Sequence, residues 1–260
     1  MKPYYEHAGI TIYHGDCREI LPHLPKVDLV FTDPPYGHNN NNGDLINRWE
    51  AALGRLPSDS DKSQVGVARP IANDSPEETA VLVRWFFSQL PKVLKPDCCC
   101  CCCCCGGGGP DPQFARWSLW LDEVLNFKQM VVWDKGPMGM GWHYRRSYET
   151  VLVAHKGKGR WFDESNAVEN VIRPGCLGIS KIIPSADDHP TPKPWQLPAH
   201  FIRLHTLPGE VVLDPFMGGG STAEAAKMTG RRFIGIELEE KYCEIAALRL
   251  AQDNLFPEGI

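Results

Sequence analysis

The chain has 260 residues, 43% of them apolar, 10% aromatic and 23% charged, enough to bury one large α/β core or two small ones. A net charge of −5 and a pI near 6.0 exclude a protein coated in positive charge, although not a local basic cleft. No run reaches the roughly 18 apolar residues of a membrane span, and the opening MKPYYEHAGI lacks a basic-then-apolar leader, so a cytoplasmic protein with no membrane partner is expected.

In chain order, GITIYHGD and KVDLVFTDPPYG read as strands, the second closed by prolines and apolar enough from Val27 to Phe31 to be covered on both faces. From Gly37 to about Ser75 the composition shifts to Asn, Asp, Ser and Gly, which predicts a long loop or lid at about 37–75, with a short helix around LINRWEAAL. NDSPEETAVLVRWFFSQLPKVL carries a capping residue, a first-turn Pro76 and helical apolar spacing. Then come eight consecutive cysteines, Cys98 to Cys105, and four glycines. Further on, WSLWLDEVL predicts a helix, FKQMVVWDK and YETVLVAHKG strands, and Lys156 to Asp188 an irregular segment. KPWQLPAHFIRLHT reads as a helix, EVVLDPFMGGGS as a strand and glycine-rich turn, TAEAAKMTG as a helix, RRFIGIEL as a strand and EEKYCEIAALRLAQDN as a closing helix.

The cysteine run reads as a buried strand, because free cysteine behaves as a small hydrophobe and a strand between helices needs apolar side chains on both faces. Sulfurs alternate between faces along a strand, so one straight strand cannot supply a four-cysteine tetrahedral site, and neighbouring cysteines are badly placed for a disulfide. No metal site is expected. Outside the run only Cys17, Cys176 and Cys243 occur, without a disulfide framework's spacing.

Alternating strands and helices predict an α/β, doubly wound, mostly parallel sheet in a single domain over 1–260. Ligands in such sheets bind at the carboxyl ends of the strands, so the turns there matter most. In VVLDPFMGGGSTAEAA, glycines between strand and helix allow close backbone approach to a ligand, and Gly218, Gly220 and Ala223 satisfy a loose dinucleotide pattern. Glu237, ending the next strand, is placed to accept from ribose hydroxyls, which points to an adenosine-containing cofactor; a turn that merely packs helix on strand is the alternative. In TDPPYG two prolines remove N–H donors and present carbonyls, the Asp33 carboxylate and the face of Tyr36, a setting suited to a planar base with an exocyclic amine. Alone, an ordinary Asp-Pro-Pro turn explains it equally well.

With DPPY at Asp33 to Tyr36, DPFMGGGST at Asp214 to Thr222, HGDCREILP before the first and HPTPKP (His189 to Pro194) before the second, the chain resembles the β-ordered DNA amino-methyltransferases (N6-adenine or N4-cytosine). VVWDKGPMGMGWHYRRSYETVLVAHKG resembles the middle block of that group. The resemblance implies a seven-stranded sheet of the S-adenosylmethionine-dependent type with circularly permuted motif order. It also implies double-stranded DNA as substrate, a flipped target base, a paired restriction endonuclease as a candidate partner, and a monomer or homodimer.

Site residues follow from the same resemblance. Asp33, Pro34, Pro35 and Tyr36 would be catalytic, holding the target amine and stacking the base. Asp16 and Cys17 would lie near the cofactor adenine, Glu237 at its ribose and Phe216 beside it. Asp214, Pro215, Gly218, Gly219, Gly220, Ser221 and Thr222 would line its methionine end, with Asp33 adjoining and Thr191 and Lys193 closing that side. DNA phosphates are assigned to Arg145 and Arg146 and to Lys156, Lys158 and Arg160, with Arg48 and Trp49 on the lid. Target recognition falls to the short segment at about 157–188. The resemblance favours N6 of adenine over N4 of cytosine, because the cytosine enzymes often carry Ser where Asp33 stands. A nicotinamide-dependent oxidoreductase would use the glycine turn and Glu237 but leaves DPPY unexplained, and a non-catalytic relic would be expected to have lost Asp33 or Tyr36.

Overall fold

The computed structural model describes residues 2–37, 75–104, 113–136, 147–163, 167–177 and 193–251. The strands are β1 (Tyr5–His7), β2 (Ile10–His14), β3 (Val27–Thr32), β4 (Leu94–Cys104), β5 (Asn126–Asp134), β6 (Tyr148–His155), β7 (Val171–Ile172), β8 (Val211–Asp214) and β9 (Arg232–Glu237). The helices are α1 (Cys17–Ile20), α2 (Pro76–Val93), α3 (Gln113–Asp122), α4 (Gln196–His205), α5 (Ser221–Met228) and α6 (Glu240–Ala251).

Among the described residues, one sheet runs β1-β2-β9-β8-β3-β4-β6-β5-β7. The five neighbours β2, β9, β8, β3 and β4 are parallel, whereas β6 is antiparallel to β4 and to β5. The expected seven strands form the body of this sheet, and it gains two short edge strands. Three-residue β1 pairs antiparallel with β2, and two-residue β7 pairs with β5 inside the segment read as irregular. Pieces that short carry too little periodicity to be seen in sequence.

Local chemistry sets the helices. Ser75 caps α2 by accepting from the Glu78 amide while its hydroxyl donates to the Glu78 carboxylate, and Pro76 follows where a missing N–H costs nothing. Its buried residues Leu82, Val83, Phe86, Phe87 and Leu90 fall on one helical face and pack on the sheet with Trp117 and Leu121 of α3. Helices α4, α5 and α6 cover the other face with Phe201, Ile202, Ala223, Ala225, Ala246 and Leu250.

Strand β4 lies between these two layers. Cys98, Cys100 and Cys102 join the α2 side and Cys99, Cys101 and Cys103 the other, as a period of two requires. All six are buried and unpaired as disulfides, so the run is core, as its place between helices predicts.

Candidate active site

In a parallel sheet the carboxyl ends share one edge, so this order places the turns after β2, β9, β8 and β3 side by side. The register of Leu29 with Val212 and Val30 with Leu213 carries Asp214 and Thr32 to the same level. Thr32 Oγ1 donates to Asp214 Oδ1 at 2.7 Å, Thr222 Oγ1 donates to Oδ2 at 2.6 Å and the Phe216 amide donates at 3.1 Å. Thus Asp214 binds the end of β3, the glycine turn and the start of α5 together. Burial pushes its carboxyl up to about 7, against the lowering effect of the Thr222, Thr32 and Phe216 hydrogen bonds; the nearby Asp33 charge adds to the rise.

The glycine turn folds tightly. Gly220 caps α5 at φ +85°, and a Cβ there would stand 2.8 Å from the Ala246 Cβ of α6. Gly220→Ala should therefore lower stability by about 2 kcal/mol, a drop of several degrees in Tm read from thermal melts. Gly218 N donates to Glu237 Oε2 at 2.8 Å, which holds that carboxylate against the turn. Burial raises the Glu237 pKa despite hydrogen bonds from the Glu239 and Gly218 amides.

Next to Glu237, β2 ends at His14, and Gly15 N donates to the Glu237 carbonyl at 2.9 Å. Asp16 caps α1 through the Arg18 amide and also pairs with the Arg18 side chain, which lowers its pKa, while Cys17 is buried. Both expected adenine neighbours therefore stand beside Glu237.

After β3, Tyr36 OH donates to Asp33 Oδ1, and Lys193 Nζ donates to Asp33 Oδ2 at 2.6 Å and to Tyr36 OH at 3.3 Å. Lys193 also pairs with Glu149 at 3.4 Å, and Glu149 with Lys135 at 2.7 Å, giving a row of alternating charge. Burial alone would raise the Glu149 pKa, but Lys193 and Lys135 hold it below the usual value. Glu149 was not foreseen. Its one sequence signal is an acidic residue directly before the apolar run TVLVA, on a strand whose antiparallel course returns it to this edge.

Phe31, Asp33, Lys193, Asp214, Phe216 and the Gly218–Gly219 backbone line one cleft, with Arg249 of α6 a further wall residue that sequence reasoning missed. Carboxylates and aromatic faces suit a sulfonium and an ammonium, while Lys193 and Arg249 suit a carboxylate, so the residues fit S-adenosylmethionine. At ≈70 Å³ the cleft is far below the roughly 300 Å³ of a small-molecule site, and neither Glu237 nor Asp16 lines it, so it corresponds to the methionine end alone.

The proposed DNA clamp KGKGR behaves differently. Lys156 Nζ donates to the Pro91 and Leu94 carbonyls at 2.5 and 2.8 Å. Arg160 pairs with Glu210 at 2.7 Å and Asp28 at 3.5 Å. Asp28 lies at the start of β3, five residues from Asp33, and thus about 16 Å away along the strand. Lys156 and Arg160 therefore tie loops together at the far edge, their charge spent on acceptors within the protein; Lys158, whose amide donates to Asp97, lies on that same edge. Arg48, Trp49, Arg145, Arg146 and Thr191, the lid helix and residues 164–166 and 178–188 of the recognition segment lie outside the described residues.

A family described as DNA methylase matches residues 27–248, a span that takes in both turns and the cleft between them. The chain belongs to this DNA methylase family. It is 29% identical over 270 residues to the type II methyltransferase M2.DpnII of Streptococcus pneumoniae, covering 97% of this chain and 94% of that one. Among solved structures, the M1.HpyAVI–SAM complex aligns with a TM-score of 0.61 at 27% identity, over 92% of this chain and 99% of the other. The PvuII cytosine-N4-specific DNA methyltransferase shares the fold, with a TM-score of 0.69 at 21% identity over 99% and 91% of the two chains. The cofactor of this methylase is S-adenosylmethionine, the ligand with which M1.HpyAVI was solved.

Proposed function

We propose that this methylase transfers the methyl group of S-adenosylmethionine to the exocyclic N6 of adenine in double-stranded DNA. One observation carries the reading: the Asp33 carboxylate, ending β3, and the Asp214–Gly218 turn, ending β8, are walls of a single cleft. A base amine held at the first is thereby set against a cofactor held at the second.

When bound, the cofactor supplies an electrophilic methyl on sulfur. The chain's own residues do the rest. Asp33 and the Pro34 carbonyl accept the two amine hydrogens, which draws the nitrogen lone pair out of conjugation with the ring and aims it for in-line attack. Asp33 carries acceptors only, and a carboxylate in place of Ser favours adenine. A base inside a duplex cannot reach the cleft, so it flips out and stacks against Tyr36, whose ring already lies 6.3 Å from Trp117. Lys193 must release Asp33 as the amine arrives, and Glu149 at 3.4 Å is the acceptor that keeps its charge paired.

Nucleoside mass spectrometry of unmethylated duplex DNA incubated with the protein, with and without S-adenosylmethionine, tests the reading. Cofactor-dependent N6-methyladenine is expected. N4-methylcytosine would keep the chemistry and overturn the base, and no methylated base from a cofactor-binding preparation would overturn the activity.

A further inference from the structure

At the amino edge of the sheet, remote from the methyl-transfer cleft, three side chains aim ligating atoms at one another. Cys99 of β4, His155 at the end of β6 and His205 at the end of α4 each offer one sulfur or ring nitrogen, and the three atoms lie within 4.8 Å of one another. Cys99 and His155 are register partners across adjacent strands, and His205 reaches them from the helix covering that face. Cys99 Sγ stands 3.2 Å from His205 Nδ1, and the Arg160 carbonyl oxygen stands 3.2 Å from that nitrogen. With metal bonds of about 2.3 Å to sulfur and 2.0 Å to nitrogen, tetrahedral ligands are roughly 3.5 Å apart, so shifts of about an ångström would close the set.

Two further observations distinguish this cluster from a packed thiol beside a histidine. His155 Nε2 is buried with no hydrogen-bond partner among the described residues, a state that is costly if nothing binds it. The ring also lies flush against Gly159, at φ +75°, where any Cβ would collide with it. The second observation is access. A cavity of ≈870 Å³, larger than the methyl-transfer cleft, is lined by His155, Arg160, Trp161, His200 and His205. Two of the three ligating residues, His155 and His205, thus border space from which a water can supply the fourth ligand.

We propose that Cys99, His155 and His205 form a binding site for a divalent cation of the zinc class, with its fourth position facing this cavity. One thiolate and two imidazoles select zinc or cobalt over magnesium or calcium. Binding forms one metal–sulfur and two metal–nitrogen bonds and breaks the Cys99 S–H bond, whose proton passes to solvent, with no change of oxidation state. The bound cation would join β4, β6 and α4 at the edge opposite the methyl-transfer cleft.

Cobalt(II) titration of the chelator-stripped full chain tests the proposal. A thiolate-to-cobalt charge-transfer band with intense tetrahedral d–d absorption should saturate at one equivalent, and zinc should abolish it by displacement. Cys99→Val and His155→Ala should each lose the band while still binding S-adenosylmethionine, which shows that they fold. Cys101→Val, altering a neighbour on the same strand face, should keep it. A folded wild type without the band, or a band that survives both Cys99→Val and His155→Ala, would overturn the site.

Discussion

Asp33→Ala is expected to lose methyl transfer by about 10³-fold while S-adenosylmethionine affinity stays within a few-fold of the parent. The carboxylate is one wall of the cleft, but the residues proposed to hold the cofactor, Asp214, the Gly218 backbone and Glu237, belong to β8, its turn and β9, and the hydrogen bonds from Thr222 to Asp214 and from Gly218 to Glu237 do not pass through Asp33. Removing Asp33 leaves Lys193 still paired with Glu149 and leaves the amine one acceptor short. Single-turnover transfer to duplex DNA, read beside cofactor affinity, separates the two effects. Transfer within tenfold of the parent would remove Asp33 from the reaction, whereas loss of cofactor binding would make it a binding residue.

A second large effect is expected from pH. Cofactor affinity should weaken by at least tenfold as pH falls from 8 to 5.5, and Asp214→Asn should flatten that dependence while weakening binding at pH 8. The Asp214 carboxyl, at about 7 in the cofactor-free protein, is ionised at pH 8 and protonated at 5.5. A cationic methionine end beside it favours the carboxylate, so binding at low pH must first expel a proton, with a ceiling near 30-fold for the 1.5-unit gap. Glu237, also raised by burial, acts in the same direction, and the Asp214→Asn comparison isolates Asp214. The apoprotein has the opposite preference. A carboxyl raised from 3.8 when unfolded to about 7 when folded contributes stability that is fully present below 3.8 and is lost as pH rises through 7. Calorimetric titration across this range, with melts of the apoprotein, reads both signs. A flat affinity profile in the parent would show that Asp214 does not titrate against the cofactor.

Much of the site was legible because its signals are local. A Gly-rich turn and a prolyl turn each announce themselves within about ten residues, and the parallel-sheet rule then places both at one edge. The cysteine strand was legible for the same reason, since its place between helices dictates its burial. What sequence could not show depends on distant partners. KGKGR has the composition of a phosphate clamp, and only the approach of Asp28, Glu210 and the Pro91 and Leu94 carbonyls reveals that Lys156 and Arg160 are already occupied. Similarly, Cys99, His155 and His205 are separated by 56 and then 50 positions in the chain, so no motif spacing could join them. Glu149 and Lys193 meet only because β6 runs against its neighbours.

The order of strands also bears on how the chain is made. The two central strands β8 and β9, which join β2 to β3, are among the last elements synthesised, while β2 and β3 are among the first. Until residue 214 has left the ribosome, β3 presents an open edge on the side that β8 will fill, and until residue 237 has followed, β2 has β1 as its one neighbour among the described strands. An interior strand built to be buried along its whole length, with a bare edge, is a surface on which other chains can add. The emerging protein therefore carries an unsealed seam through the middle of its sheet, and a ribosome that stalls before β8 releases a chain prone to aggregate rather than a smaller folded one.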